Sequence, residues 1–226
     1  MDKSIQKILL KEHTMNSSFR IIPDDIKPRF QKELGTQKSR TKQKAEVFTP
    51  FNIVKNMNDD FDKDFTGDEL DYINRTVLEV TCGEAPFLTT RYDASTGEDI
   101  PVNSRTGLLD RKLKYVSNYA VSESGWCLFA EYSLKSTYGY EWQEDSIYIA
   151  RTNLLLTTIE HFEEHFHKEP NPESIKEWAK IISYNIFKMD GVTLCIPETD
   201  IPAKIKNWKT NKLERFDGKT EELSLW

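Results

Sequence analysis

Four residues carry the chemistry that this chain suggests: Gly83, Glu79, Glu141 and Asp190. Glu79 lies in TVLEV (76–80), Glu141 near the end of STYGYEW (136–142), and Asp190 just after NIFKM (185–189). If these runs are parallel strands, the acids fall at like places at their carboxyl ends, where open α/β sheets bind ligands. A carboxylate after the second strand has the lone pairs to accept both hydroxyls of a ribose. An Asp after the third can receive the exocyclic amine of adenine. A glycine in the first loop lets a ligand approach the backbone. The set describes a site for an adenosine with a zwitterionic tail. It does not describe a pyrophosphate site, because G-x-G-x-x-G is reduced to Gly83 and no Walker loop is present.

The elements that must position these residues can be read from periodicity. TVLEV is a short buried strand, and Phe87 onward is expected to start a helix. Residues 91–106 are rich in Gly, Pro, Asp, Asn and Ser and predict a long loop. Helical pattern resumes at GLLDRKLKYVSNYA and at GWCLFAEYSLKS. STYGYEW is the next strand. In the helix that follows, Leu155, Ile159, Phe162 and Phe166 share one face. Pro172 and the run Ser174 to Glu177 suggest a capping box, with Ile175, Trp178 and Ile182 as the next apolar stripe. Upstream, Thr49 and Pro50 suit the cap and first position of a helix carrying Ile53, Val54 and Met57. Strands alternate with helices, so the class is α/β with a largely parallel sheet. The polar tail, 201–226, suits a hairpin.

The 226 residues carry a formal net charge of -6, which argues against a uniformly basic nucleic-acid binder. Residues 1–44 read as an N-terminal arm whose stretch 27–44 is basic, either solvated or contacting phosphates. Cys82, Cys127 and Cys195 form no C-x-x-C pair and read as reduced thiols of a cytoplasmic protein. No stretch approaches the roughly 20 apolar residues of a membrane span. Asp60, Asp62 and Asp64 have calcium-loop spacing, but Phe65 holds the glycine place and Asp71 the final Glu place, so a solvated loop is expected. His161, His165 and His167 lack a fourth ligand and read as a solvated helix end.

Four segments in order resemble the amino (N6-adenine) DNA methyltransferase family, over about residues 45–197. AEVFTPFNIVKNM resembles its opening Phe-Thr-Pro motif and LEVTCGEAPFL its S-adenosylmethionine loop. STYGYEW resembles its ribose-acid motif, and IISYNIFKMDGV the motif whose Asp contacts adenine. The resemblance implies a three-layer, Rossmann-like methyltransferase sheet over 45–200, with an insertion at about 91–135. It implies S-adenosyl-L-methionine as cofactor and double-stranded DNA with a target adenine as partner. Phe48, Thr49 and Pro50 would then cover the methionine and sulfonium side. Glu79, Cys82 and Gly83 would shape the methionine pocket, with Phe87 in the same cofactor-binding set. Glu141 would bind the ribose, Trp142 would flank the adenine, and Asp190 would hold its amine.

The chain departs from this pattern twice. Ala85-Pro86 replaces Gly-x, which puts a Cβ where the cofactor carboxylate usually approaches and removes an N–H. The catalytic Asn/Asp-Pro-Pro-Tyr/Phe, which grips the flipped base, is absent; Asn171-Pro172 precedes the third motif and is followed by Glu. The expectation is the cofactor-binding N-terminal part of a restriction-modification methyltransferase, inactive alone. The alternative is a non-catalytic, methyltransferase-like interaction or DNA-binding protein. The sheet is expected to be incomplete at an open edge, which favours dimers or poor solubility.

Overall fold

The computed structural model describes residues 1–32, 49–216 and 224–225. The chain is α/β. Its parallel sheet is built from β3 (Val77–Glu79), β4 (Thr137–Glu141) and β5 (Ile186–Lys188). Val77 pairs with Thr137 and Glu79 with Gly139; Gly139 pairs with Ile186 and Glu141 with Lys188. On the other side of β3, β8 (Ser224–Leu225) pairs in parallel, giving the order β5-β4-β3-β8. The edge of β3 is therefore paired.

The crossover from β3 to β4 runs through α4 (Leu108–Tyr119) and α5 (Glu123–Lys135); that from β4 to β5 runs through α6 (Glu144–Phe166) and α7 (Pro172–Asn185). Two successive right-handed crossovers that move in one direction place their helices on one face. That face buries Val77, Ile186, Trp126, Leu155, Phe162 and Trp178 in one core. Leu155 and Phe162 are buried and Ile159 and Phe166 pack against the core, so the apolar stripe is where periodicity put it. α6 is also buried around most of its circumference (Ile147, Ile149, Ala150, Leu154), as a central helix must be.

The opposite face alternates as strands dictate: Leu78, Tyr138, Tyr140 and Phe187 point there. Among the described residues it is covered by β6 (Lys204–Asn207) and β7 (Lys212–Arg215), an antiparallel hairpin, with Ile196, Ala203 and Phe216. The hairpin expected in the tail is present. The second helical layer of the expected three-layer sheet is replaced there by this hairpin.

Five local expectations are corrected. No helix starts at Phe87: Leu88 and Thr89 both donate to Ala85 O, and Thr90 N then turns to Asp110 Oδ2 (2.8 Å). α2 (Phe51–Asp62) is capped one residue later than expected, with Pro50 at the cap and no bond from a side chain of its own. α7 is capped by Asn171, whose Oδ1 accepts from Ser174 N (2.8 Å), so Ser174 is not the cap. The acidic link is not a solvated loop throughout, because Asp62 ends α2 and pairs with Arg75 and Arg111, both at 2.8 Å, and the link runs into a short helix, α3 (Glu69–Asn74). Finally, His161 is buried and its Nε2 lies 3.0 Å from the buried Asp110 Oδ1.

The first part of the N-terminal arm belongs to the body. α1 (Lys3–Leu9) packs on α7, and Ile5, Leu9 and Phe19 enter the core. A short antiparallel pair follows, β1 (Lys11–Glu12) with β2 (Ser17–Ser18). The remaining basic positions, 33–44, lie outside the described residues. The His13 ring stacks on Tyr184 at 3.5 Å, and its Nε2 lies 2.9 Å from Ser183 Oγ. Burial first, then the charges of Arg151, Lys11 and Lys206, lowers its pKa from 6.5 to about 3. The folded chain thus holds His13 neutral, and the unfolded chain takes up a proton first as pH falls. The stabilisation is complete above pH 6.5 and is lost between 6.5 and about 3. Urea midpoints measured from pH 7 to 4 should fall more steeply for the native chain than for His13→Gln; parallel curves would refute this.

Candidate functional site

The carboxyl ends of β3, β4 and β5 bring together most of the residues singled out in the sequence. Glu79 is the last residue of β3 and is buried. Its Oε1 accepts from Phe87 N (3.4 Å), and its Oε2 is buried without a hydrogen-bond partner. Burial pushes this carboxyl well above the ordinary range, against the backbone N–H groups of Phe87 and Leu88; the Glu141 charge pushes it further up. A carboxyl shifted in that direction holds its proton more readily and has a donor to offer.

The loop from β3 crosses over β4. Cys82 N donates to Tyr140 O (2.8 Å), and the buried Cys82 side chain rests over Gly139. A Cβ at Gly139 would lie 3.1 Å from Cys82 Sγ, so this strand position must stay small for the loop to pass. The loop is left-handed at Thr81 (φ 47°), Gly83 (φ 54°) and Ala85 (φ 62°). Two of these three are not glycine, and each such residue costs about 1–2 kcal/mol. Strain of this kind concentrates at ligand sites.

Gly83 and Ala85 play opposite parts. A Cβ on Gly83 would meet nothing within 4 Å, so this backbone faces open space. Ala85 is fully buried in the helical core, and its methyl is directed away from solvent. The Cβ that was expected to crowd the open side of the loop instead fills the core.

Glu141 is the hub. Its Oε2 accepts from Gly83 N (3.0 Å), and its Oε1 from Trp142 N (2.8 Å) and Gln143 N (3.0 Å). Met189 N donates to Glu141 O (3.1 Å), which brings the end of β5 alongside. Asp190 is partly exposed; its Oδ1 accepts from Val192 N (2.8 Å) and its own N–H donates to Cys195 O. The Val192 N–H is the main cause that lowers the Asp190 pKa. The Tyr140 phenol, beneath this group, is pushed up by burial first and then by charge at Cys82, Asp190 and Glu141. Trp142 is 41% exposed, so its indole is not core.

The Phe-Thr-Pro segment is held differently. Phe48 lies outside the described residues. Thr49 is half-buried and Pro50 exposed, and Phe51 N donates to Asp93 Oδ2 (2.9 Å). The 91–106 loop therefore supplies the missing cap of α2. Asn58 on the same helix donates to Phe87 O (3.0 Å) and Thr106 O (3.1 Å).

Sequence reasoning missed the polar set that ties this loop to the first one. Tyr92 OH donates to Glu84 Oε2 (2.8 Å), while Asn153 Nδ2 donates to Glu84 O and Tyr92 OH, both at 3.0 Å. It also missed Phe30, which lies edge-on to Tyr92 and occupies the space that a side chain at Gly97 would fill. Lys32 then reaches Asp145 at the start of α6 (3.4 Å). Tyr92, Asp93 and Gly97 gave no periodic signal, because Asn153, Phe51 and Phe30, which they meet, lie tens of residues away.

No protein-family model, curated protein or solved structure matches the chain. Among the described residues, no group of three metal-ligating side chains occurs and no helix is long and apolar enough to cross a membrane.

Proposed function

We propose that the strand ends form a site for S-adenosyl-L-methionine on a Rossmann-like sheet, and that the chain is the cofactor-binding part of a site-specific adenine N6 DNA methyltransferase. One observation carries this reading. Gly83, with an open side, is hydrogen-bonded to Glu141 at the end of the neighbouring strand, where loop and ribose acid are expected to meet. Glu79, with its unpartnered Oε2, supports it by offering an inward polar atom beside the same loop. Ala85 no longer opposes it. The sequence has no Asn/Asp-Pro-Pro-Tyr/Phe, so methyl transfer to DNA by this chain alone is expected to be undetectable.

The test is titration calorimetry with S-adenosylmethionine and S-adenosylhomocysteine on the native chain and on Gly83→Ala. The native chain should bind both. In Gly83→Ala the new methyl meets no protein atom, so stability should drop by only about 1 kcal/mol from the left-handed backbone. Affinity should drop at least tenfold, because the methyl enters the open side. Absence of heat at millimolar ligand would sink the proposal, as would unchanged affinity in the variant.

A second reading is favoured by one observation: both oxygens of Glu141 already accept backbone N–H groups. A non-catalytic methyltransferase-like interaction protein would need Glu141 only as this structural staple. It predicts the same fold and no cofactor heat.

A further inference from the structure

The β6–β7 hairpin holds two cations against each other. Lys204 and Arg215 are directly opposite in its register, and both are exposed. Phe216 N donates to Ala203 O (3.0 Å), so the neighbouring pair is of the hydrogen-bonded kind. The two kinds alternate along an antiparallel ladder, which makes Lys204–Arg215 the close, non-hydrogen-bonded kind. Cα atoms of such a pair lie about 4.5 Å apart, and like charges placed there destabilise the sheet. A ribbon that needed only solubility would be served better by Lys opposite Glu.

No acid relieves the pair. Among the described residues, Lys55, Lys135, Lys168 and Lys188 each stand against a carboxylate, whereas neither Lys204 nor Arg215 does. Glu214 projects to the other face of the ribbon and accepts from Asn207 and Thr210. The β1–β2 turn extends the basic surface, because Thr14 Oγ1 accepts from Lys204 N (3.2 Å). Lys11, just before that turn, is exposed and has no carboxylate within ion-pair reach among the described residues.

The pair sits at the end of the hairpin nearest the candidate site. Ala203 N donates to Leu194 O (3.0 Å), and Leu194 N to Asp190 O (2.8 Å), which leads to the loop after β5. An exposed cation gains only about 0–1 kcal/mol from one small anion, so an open surface of this kind does not retain free phosphate. A polyanion differs, since each phosphate neutralised releases counterions into solution.

We propose that Lys204, Arg215 and Lys11 contact the phosphate backbone of duplex DNA, whatever its sequence, and hold it alongside the carboxyl ends of the strands. Arg215 offers a forked, bidentate contact and Lys204 a point charge. The choice of DNA among polyanions rests on the methyltransferase reading; the basic surface does not.

The experiment is fluorescence anisotropy with a labelled duplex of about 20 base pairs, at salt from about 50 to 200 mM. The native chain should bind, with log affinity falling linearly against log salt. Lys204→Gln/Arg215→Gln should bind about tenfold more weakly at the low-salt end and lower the slope by about two. Lys55→Gln/Lys168→Gln removes the same charge from exposed cations that already have partners, and should leave affinity and slope as they are. The heat of S-adenosylmethionine binding should be the same in the native chain and the hairpin variant. Duplex binding with the expected slopes but no cofactor heat upholds this proposal and removes the cofactor reading. Cofactor heat without duplex binding at about 50 mM salt does the reverse. An unchanged slope in the hairpin variant would overturn the proposal. So would an equal loss in the Lys55/Lys168 variant, or polyglutamate bound as tightly as the duplex, which would point to an acidic protein partner.

Discussion

Arg151→Ala is expected to remove most of the stability of the fold. The Arg151 side chain is fully buried on α6, and its guanidinium makes five hydrogen bonds to four backbone carbonyls. Nη1 donates to Leu9 O (2.6 Å) and Lys11 O (2.9 Å), Nη2 to Ser183 O (2.7 Å) and Ile186 O (2.6 Å), and Nε to Ile186 O (2.8 Å). One side chain thus joins the N-terminal segment, the end of α7 and the start of β5. Burial lowers its pKa to about 10, which still leaves it charged at neutral pH. Each buried acceptor left unpaired costs about 1–3 kcal/mol. Three such carbonyls, of Leu9, Ser183 and Ile186, reach roughly 3 kcal/mol even at the low end and about 9 at the high end, against a usual total of about 5–15 kcal/mol. Lys should not rescue the site, because one ammonium cannot span three segments with planar forked geometry. Urea unfolding followed by circular dichroism measures the loss, and a fall of less than about 2 kcal/mol would falsify this account.

Arg151 also shows why part of the fold was legible in the sequence and part was not. The strands at 77–79, 137–141 and 186–188, the apolar stripes of α6 and α7 and the tail hairpin follow from local periodicity, which survives in any α/β arrangement; the face expected for α2 does not, because only Val54 of Ile53, Val54 and Met57 is buried and the other two are exposed. The same local reading treated residues 1–44 as an arm, because nothing near Leu9 indicates that an arginine 142 positions later will take its carbonyl. His161 was misread for a similar reason: its partner Asp110 is 51 residues away. The misplaced caps have a different cause. Pro50 gives the helix start a fixed φ but no side-chain acceptor, so Asp93 supplies one from a loop; Asn171 precedes its own proline and needs no help. At the candidate site, the types and order of Glu79, Gly83, Glu141 and Asp190 were legible. Which way Ala85 points was not, since that depends on the left-handed turn at Ala85 itself.

Glu141→Gln is expected to undo the candidate site while leaving the sheet folded. The change is nearly isosteric, but three backbone N–H groups converge on the carboxylate, and they use both oxygens. An amide keeps one acceptor oxygen and presents NH2 on the other side. If the oxygen faces Trp142 and Gln143, the Gly83 N–H meets an NH2 and the first loop is released. If it faces Gly83, two N–H groups at the start of α6 are stranded. The loop is the weaker side, because it already carries left-handed Thr81 and Ala85. The Gly83 amide should therefore exchange with deuterium much faster in the variant, with the sheet amides protected as before. A charge-assisted hydrogen bond contributes about 1.5–3 kcal/mol. Losing one, together with an acceptor for the ribose, corresponds to roughly a hundredfold weaker S-adenosylmethionine binding. The two measurements separate the two readings of this site. Faster exchange at Gly83 with no cofactor binding in either protein leaves Glu141 as a staple alone. Faster exchange together with a hundredfold loss makes the same carboxylate both the staple of the loop and the acceptor of the ligand.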